Sequence, residues 1–260
     1  MSNSVTLHYT EEGQGIPLVL LHGYPFSGAI WQTQQQGLSS NYRVITPDLR
    51  GHGQSPAPDG VYEMELMARD VLALLDSLNV QKAAIMGHSM GGYVTFALWR
   101  LAPERFIALG LIDSQAGADS EEGRQGRYKT AEKVFEDGSQ VVAQAMVPRL
   151  FAPSLPDSEP IVEQARTLIL NTRPVGIIGT LKGMASRPDS TALLPAIKIP
   201  TLIITGDKDQ IIPAQKAEGM AEAIPMATLV TIENAGHMPM LEQPQAVTMA
   251  IRNFLDELPQ

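Results

Sequence analysis

The chain of 260 residues contains no cysteine. It can therefore form no disulfide bond, use no thiolate nucleophile and bind no zinc through cysteine. A chain without cysteine fits a reducing compartment, and residues 1–12 lack the basic and apolar regions of a signal peptide. We therefore expect a cytoplasmic protein.

Long apolar runs and an excess of positive charge are also missing. No apolar run approaches the length of about 20 residues that a membrane-spanning helix needs. The 19 Lys and Arg residues are outnumbered by 28 Asp and Glu residues, which gives a net charge of −9. Because binding to phosphate groups needs clustered Lys and Arg, we expect neither a nucleic-acid partner nor a membrane partner.

The common signatures of cofactor and metal sites are absent as well. The sequence has no Gly-x-x-x-x-Gly-Lys-Ser/Thr loop, no His-Glu-x-x-His motif and no EF-hand loop. Gly13 and Gly15 precede a predicted strand rather than a helix, which argues against a dinucleotide loop. Asp207 and Asp209 alone are too few ligands for calcium. We therefore expect no cofactor and no metal.

The residues that are present predict a large α/β core. Hydrophobic residues make up 44% of the chain, which is enough for a sizeable core. Strand and helix patterns alternate, which predicts a mostly parallel, doubly wound sheet of seven to eight strands with helices on both faces. Strands are predicted at Val5–Tyr9, Leu18–Leu21, Arg43–Thr46, Ala83–Met86, Phe106–Ile112, Thr201–Thr205 and Thr228–Ile232, a turn at Glu11–Pro17, and helices at Glu63–Leu78, Tyr93–Leu101, Ala214–Ala223 and Pro244–Leu258.

The alternation breaks after residue 114, and no convincing strand follows before Thr201. Four short helices are predicted instead, beginning near Tyr128, Ser139, Ser158 and Pro174. Because this segment is too long for an ordinary loop, we expect residues 115–190 to form an inserted helical lid. Residues 1–114 and 191–260 would then form the core. Extra packing with no role in substrate choice is the alternative interpretation of the insert.

The stretch Ala83–Gly92 carries the most informative motif. Its apolar residues predict a buried strand, Gly-His-Ser-Met-Gly follows at residues 87–91, and a helix comes next. This order of strand, tight turn and helix is the context that Gly-x-Ser-x-Gly requires. The hydroxyl of Ser89 is then expected above the sheet edge, in front of a helix N-terminus that favours negative charge. Ser89 is therefore the candidate nucleophile, although the pentapeptide alone also fits a turn without chemistry.

A serine hydroxyl needs a base near neutral pKa, and that base needs a partner that orients it. In sheets of this type the nucleophile, the acid and the histidine follow one another along the chain. Only one of the five histidines, His237, lies after Ser89, so it is the candidate base. Asp209 is the candidate acid because it lies deep in the loop after the penultimate strand. Asp113 stays open as the alternative acid, and Asp207 is expected to stabilise the turn.

An oxyanion needs two N–H donors. The backbone groups of Met90, which follows the nucleophile, and of Tyr24, in the loop after an early strand, are the candidates. Trp31 is favoured as a packing residue, but its closeness to the Tyr24 loop leaves a pocket role open. The expected lining of the substrate pocket is Pro25, Trp31, Ile211 and Met238.

Other polar residues near these motifs are interpreted as structural. We expect His22 to hold its loop by hydrogen bonds rather than to act as a base. Asp48, Arg50 and His52 are expected to form a buried network in a turn.

Taken together, the motifs resemble those of the α/β-hydrolase family. They are Leu-His-Gly-Tyr-Pro (21–25), Asp-Leu-Arg-Gly-His-Gly-Gln-Ser (48–55), Gly-His-Ser-Met-Gly-Gly (87–92), Gly-Asp-Lys-Asp (206–209) and Asn-Ala-Gly-His (234–237). Within the family the chain looks like the lidded serine esterases, the enol-lactonases and the cofactor-free haloperoxidases. Ser89 stands where haloalkane dehalogenases and epoxide hydrolases carry aspartate, which makes those reactions a poor fit.

The resemblance implies a serine hydrolase that cleaves carboxylic esters of small molecules through an acyl-enzyme on Ser89. A lactonase, a perhydrolase or haloperoxidase, and a carbon–carbon bond hydrolase are alternatives that would use the same residues. A ligand-binding protein on the same scaffold is a further alternative. The sequence leaves the substrate and the oligomeric state open.

Overall fold

The computed structural model describes residues 4–258 and contains one sheet of seven strands. The strands are β1 (Tyr9–Glu12), β2 (Ile16–Leu21), β3 (Tyr42–Pro47), β4 (Ala83–His88), β5 (Phe106–Ile112), β6 (Thr201–Gly206) and β7 (Ala227–Ile232). Their order across the sheet is β1-β3-β2-β4-β5-β6-β7, with β1 antiparallel to β3 and the other pairs parallel. The mostly parallel, doubly wound sheet predicted from the sequence is confirmed.

Helices cover both faces of this sheet. They are α1 (Gln32–Leu38), α2 (Met64–Ser77), α3 (Met90–Leu101), α4 (Glu121–Asp137), α5 (Gln140–Leu150), α6 (Pro160–Asn171), α7 (Pro174–Ala185), α8 (Gln215–Ala223), α9 (Pro239–Glu242) and α10 (Pro244–Asp256), with 3₁₀ turns at Gly28–Trp31, Pro103–Arg105 and Thr191–Ala196. Helix α3 packs on β2, β4 and β5, whereas α10 packs on β6 and β7. Covered strands are apolar throughout, and β4 and β6 are buried along their whole length.

The N-terminal segment differs from the prediction. The edge strand predicted at Val5–Tyr9 lies at Tyr9–Glu12 instead, and the turn predicted at Glu11–Pro17 is limited to residues 13–15, because β2 already begins at Ile16. Val5 donates its backbone N–H to the Asp70 carboxylate at 3.0 Å, so this backbone group bonds to a side chain rather than to a strand. Pairing with β3 therefore decides where the edge strand lies, and the local apolar alternation does not.

Helices α4 to α7 occupy the segment between β5 and β6 for which the sequence predicts four helices. Helix α4 begins at Glu121 rather than near Tyr128, because the Ser120 hydroxyl accepts a hydrogen bond from the Gly123 N–H at 3.1 Å and caps the helix. The insert contacts the core closely at α7, where the Gly179 carbonyl accepts a hydrogen bond from the Tyr62 N–H at 2.9 Å. That the insert acts as a lid stays a prediction.

Neither a membrane-spanning helix nor a metal-binding cluster occurs within residues 4–258. No helix in this range is long and apolar enough to cross a membrane. No group of three or more His, Cys, Asp or Glu side chains in the same range is placed to hold a metal ion. The cytoplasmic location stays a prediction.

One buried ion pair joins the loop after β3 to helix α2. The Arg50 Nε lies 2.7 Å from an oxygen of Asp70, and the two side chains are 4% and 0% exposed. Asp70 also receives the N–H of Val5, so this carboxylate ties three parts of the chain together. An exposed counterpart exists at the sheet edge, where Arg43 pairs with Glu11 at 2.8 Å.

We predict that Asp70→Asn lowers the free energy of unfolding by about 3 kcal/mol, because it removes the negative charge that faces a buried guanidinium. The matched change Glu11→Gln should cost less than about 1 kcal/mol, because water screens the exposed pair. Urea denaturation of both variants at neutral pH measures the difference. Equal losses in the two variants would contradict this account.

Candidate active site

The site is built on the turn between β4 and α3. Ser89 is the single residue between them, and its φ of 50° and ψ of −113° are strained for a residue with a side chain. A Cβ atom on Gly87 would lie 2.1 Å from the Gly91 carbonyl oxygen, and one on Gly91 would lie 2.5 Å from the Leu21 carbonyl oxygen. Helix α3 therefore lies too close to β4 and to the end of β2 for larger residues at these positions, and the turn lifts Ser89 above the sheet edge.

Hydrogen bonds hold the strained backbone of Ser89 in place. Its N–H donates to the Ile112 carbonyl at 2.8 Å, at the end of the neighbouring strand. Its carbonyl accepts from the Gly92 N–H at 2.9 Å and from the Ser114 hydroxyl at 2.8 Å. The side chain is left half-buried, where a ligand can reach it.

Three side chains from distant parts of the chain meet at this turn. The Nε2 atom of His237 lies 3.0 Å from the Ser89 hydroxyl, and its Nδ1 atom lies 2.7 Å from an oxygen of Asp209. The His237 and Asp209 side chains are 2% and 0% exposed. This arrangement can take a proton from the hydroxyl and stabilise the imidazolium that results. The structure thus brings together the three residues that the sequence predicts as nucleophile, base and acid.

The Asp209 carboxylate is held by more than the histidine. One of its oxygens accepts the N–H groups of Ile211 at 2.7 Å and Ile212 at 3.0 Å. Burial alone would raise the pKa of Asp209. The attraction to His237 and the hydrogen bonds outweigh burial and keep this pKa below its ordinary value. Asp209 therefore stays ionised beside the imidazole.

Two residues that the sequence reasoning missed hold the loop of His237. His88 Nε2 lies 2.7 Å from the His237 carbonyl, and the two rings are 4.9 Å apart. Burial, followed by the proximity of His237, lowers the pKa of His88 to about 3, so this ring is neutral and donates. Glu242 accepts the N–H groups of Gly236 and Ala152, each at 2.7 Å. The motif Gly-His-Ser places His88 here, but no sequence signal indicates Glu242.

The two other candidate acids occupy different positions. Asp207 accepts the Ala235 N–H at 3.3 Å and thereby links the loops after β6 and β7, and its expected role in the turn after β6 stays a prediction. Asp113 is fully buried and bonds to Gly206 and Thr205. Neither aspartate is hydrogen-bonded to His237 in the part of the chain that the structure describes.

The candidate oxyanion donors lie on both sides of Ser89. Met90 begins α3, and Gly23, just before Tyr24, is so close that a Cβ on it would lie 3.1 Å from the Ser89 Cβ. Among residues 4–258 neither the Tyr24 N–H nor the Met90 N–H has a hydrogen-bond acceptor. Two unpaired N–H groups beside a serine hydroxyl can bind an oxygen that carries negative charge.

The expected pocket residues surround this turn at different depths. Trp31 and Met238 are fully buried, and the Trp31 ring packs edge-on against His88 with 6.4 Å between centroids. Ile211 is half-buried beside Asp209. The carbonyl of Pro25 accepts the Thr172 hydroxyl at 2.7 Å, which ties the insert to the Tyr24 loop. Whether these residues line a substrate pocket stays a prediction.

The polar residues interpreted as structural do form a buried network. Leu49 donates its N–H to His22 Nε2 at 2.8 Å, which confirms that His22 holds its loop. Asp48 accepts the N–H groups of Gly28 at 2.8 Å and Gln54 at 2.9 Å. His52 Nδ1 lies 3.0 Å from the Arg50 carbonyl, so the predicted turn network is confirmed.

Comparison with known proteins agrees with this geometry. A family model described as "alpha/beta hydrolase fold" matches residues 16–244. The chain belongs to the α/β-hydrolase family. The resemblance carried by the motifs is thereby confirmed.

Several members of the family are similar over nearly the whole chain. The chain is 32% identical to 3-oxoadipate enol-lactonase 2 of Acinetobacter baylyi, over 96% of this chain and 93% of that protein. A solved, malate-bound structure of a thermophilic esterase from Thermogutta terrifontis is 41% identical, with a TM-score of 0.96 over 98% of this chain and 95% of that one. An enol-lactonase structure from Burkholderia xenovorans LB400 is 30% identical, with a TM-score of 0.90 over 98% of each chain.

We predict that Glu242→Ala lowers the free energy of unfolding by about 3 kcal/mol, because two buried N–H groups lose their acceptor. The control is Glu222→Ala on the exposed side of α8, which should change stability by less than about 0.5 kcal/mol. Chemical denaturation of the two variants measures both values. A loss no larger in Glu242→Ala than in the control would show that Glu242 does not hold the loop.

Proposed function

We propose that the protein is a serine hydrolase that cleaves carboxylic esters of small molecules through an acyl-enzyme on Ser89. The observation that carries the proposal is the continuous hydrogen-bonded line from Asp209 through His237 to the Ser89 hydroxyl, with distances of 2.7 and 3.0 Å. The esterase from Thermogutta terrifontis, at 41% identity, supports ester hydrolysis as the reaction class.

In the first half of the reaction, His237 Nε2 takes the proton of the Ser89 hydroxyl as its oxygen attacks the ester carbonyl. Asp209 holds the Nδ1 proton of the ring, which leaves Nε2 as the basic nitrogen. The negative charge that develops on the carbonyl oxygen is bound by the N–H groups of Tyr24 and Met90. When the tetrahedral intermediate breaks down, His237 returns the proton to the departing alcohol, and the acyl group stays on Ser89.

In the second half, His237 takes a proton from water, and the resulting hydroxide attacks the acyl-enzyme. The same N–H groups bind the second oxyanion, and the proton passes from His237 back to the Ser89 oxygen as the acid leaves. No cofactor or metal is required in either half. Residues 115–190 would act as the lid that shapes the acyl site, since Leu150 at the end of α5 bonds to His237 and Thr172, just after α6, bonds to Pro25 in the Tyr24 loop.

Lactone hydrolysis is the second candidate function. Two relatives that match nearly the whole chain are named enol-lactonases, at 32% and 30% identity. A lactone is an internal ester, so the same attack by Ser89 would open the ring and leave the alcohol joined to the acyl group. Comparing turnover of short open-chain esters with that of lactones of matched acyl length distinguishes the two functions.

We predict that an organophosphonate labels the protein once, on Ser89, and that Ser89→Ala lowers kcat by at least about 10³-fold. The hydroxyl is the nucleophile, so its removal prevents acyl-enzyme formation without disturbing the fold. Intact-protein and peptide mass spectrometry locate the label, and hydrolysis of p-nitrophenyl esters reports the rate.

The matched control is Ser77→Ala, since the Ser77 hydroxyl donates only to the Leu74 carbonyl at the end of α2. This variant should be labelled and should turn over like the unaltered protein. Absence of labelling on Ser89, or undiminished hydrolysis by Ser89→Ala, would refute the proposal.

A further inference from the structure

Asp113 lies directly behind the hydrogen-bonded line of Ser89, His237 and Asp209, and the mechanism above gives it no role. It follows the last residue of β5 and is 1% exposed. Its φ of 42° lies in the left-handed region, which an aspartate tolerates better than most residues do. Its N–H donates to the Ile204 carbonyl at 2.9 Å, so the backbone is held at the end of the sheet.

The Asp113 carboxyl has one satisfied and one unsatisfied oxygen. Oδ1 accepts the Gly206 N–H at 2.9 Å and lies 3.4 Å from the Thr205 hydroxyl. Oδ2 is fully buried and receives no donor from any residue between 4 and 258. A buried carboxylate oxygen without a donor is costly, and a proton on that oxygen would remove the cost by turning it into a donor.

The neighbouring Asp209 carboxylate can accept such a proton. Gly206 joins the two residues, because its N–H binds Asp113 and its carbonyl accepts the Asp209 N–H at 3.3 Å. This turn brings the two carboxyl groups within hydrogen-bonding reach of each other. Asp209 has His237 and two backbone N–H groups to stabilise its charge, whereas Asp113 has one backbone N–H and a long hydrogen bond from the Thr205 hydroxyl.

Two adjacent buried carboxyl groups cannot both carry a negative charge at ordinary cost. Burial, and then the neighbouring charge of Asp209, raise the pKa of Asp113 well above its ordinary value. The further acidic group that acts on Asp113 is Glu242 on α9, whose effect has the same sign. The proton of the pair therefore belongs to Asp113, and the negative charge belongs to Asp209.

We propose that Asp113 is a positioning residue whose neutral carboxylic acid donates a hydrogen bond from Oδ2 to the Asp209 carboxylate and fixes it for His237. This inference rests on the proposed function, because it assigns Asp113 a role behind the same three side chains. The Asp113 proton is not transferred during the reaction. Its hydrogen bond limits the movement and the basicity of Asp209, and so keeps the imidazole aligned on the Ser89 hydroxyl.

The test compares Asp113→Asn with Asp113→Leu by the pH dependence of kcat/KM. Asparagine keeps a neutral donor toward Asp209 and an acceptor for Gly206, whereas leucine is similar in size and keeps neither. We expect Asp113→Leu to lower kcat by about 10- to 100-fold with little change in KM, as for the loss of a hydrogen bond to a charged group. Asp113→Asn should rescue most of this loss.

The acid limb of the pH profile distinguishes a neutral Asp113 from an ionised one. His88 stays neutral through this limb and Glu242 is present in every variant, so a shift reports the charge near His237. If Asp113 is neutral, Asp113→Asn should leave the midpoint of the acid limb of kcat/KM unchanged. In Asp113→Leu the limb should move to higher pH, because Asp209 becomes more basic and holds the imidazolium more tightly.

A limb that moves to lower pH in Asp113→Asn would overturn the inference, since that shift would report the loss of an anion. If Asp113→Leu fails to fold, infrared difference spectra between the unaltered protein and Asp113→Asn decide the question. We expect the carbonyl band of a protonated carboxyl group, and its absence at neutral pH would overturn the inference. Phosphonate labelling of Ser89 in Asp113→Asn is a separate readout, so the inference can fail while the proposed function stands.

Discussion

The close approach of β4 and α3 is the constraint on which the site depends. Glycine at position 87 lets β4 and α3 pass with their backbones in contact, glycine at position 91 lets α3 approach the end of β2, and Ser89 is left with a positive φ. Strand β2 is the neighbour of β4 in the sheet. Along the chain, however, β3 comes between these two strands and pairs with the other edge of β2. The order of strands thus reverses there, and in sheets of this type the crevice at the reversal is where ligands bind. The Tyr24 loop and the Ser89 turn form its two walls.

His237 and Asp209 lie on loops that several hydrogen bonds hold in place. The His237 loop is fixed by its neighbour His88, by Glu242, and by the Leu150 carbonyl, which accepts the His237 N–H at 2.8 Å. These contacts come from β4, α9 and the insert, so the imidazole is aligned by the core and the insert together. Behind it the carboxyl groups of Asp209 and Asp113 lie at the ends of neighbouring strands. The negative charge needed beside the imidazole is therefore kept in a buried, hydrogen-bonded place.

Much of this arrangement could be predicted from the sequence, because its parts have local signals. The glycines around Ser89 indicate the strained turn, and the order of elements along the chain leaves His237 as its partner. Features that depend on distant pairing could not be predicted in the same way. Strand β1 lies at Tyr9–Glu12 because β3 pairs with it there, although the apolar alternation is stronger at Val5–Tyr9. No local sequence pattern indicates the role of Glu242, because its two N–H donors, Gly236 in the His237 loop and Ala152 in the insert, come together with it only in the folded chain.

In the proposed reaction, the ester carbonyl that Ser89 attacks directs its oxygen between the N–H groups of Tyr24 and Met90. A crystal structure of the protein after reaction with an organophosphonate tests this most directly, because the adduct resembles the tetrahedral intermediate. We expect phosphorus bonded to the Ser89 oxygen, with the phosphonyl oxygen about 2.7–3.1 Å from both backbone nitrogens. A phosphonyl oxygen that points away from both groups, with His237 turned from the adduct, would contradict the account.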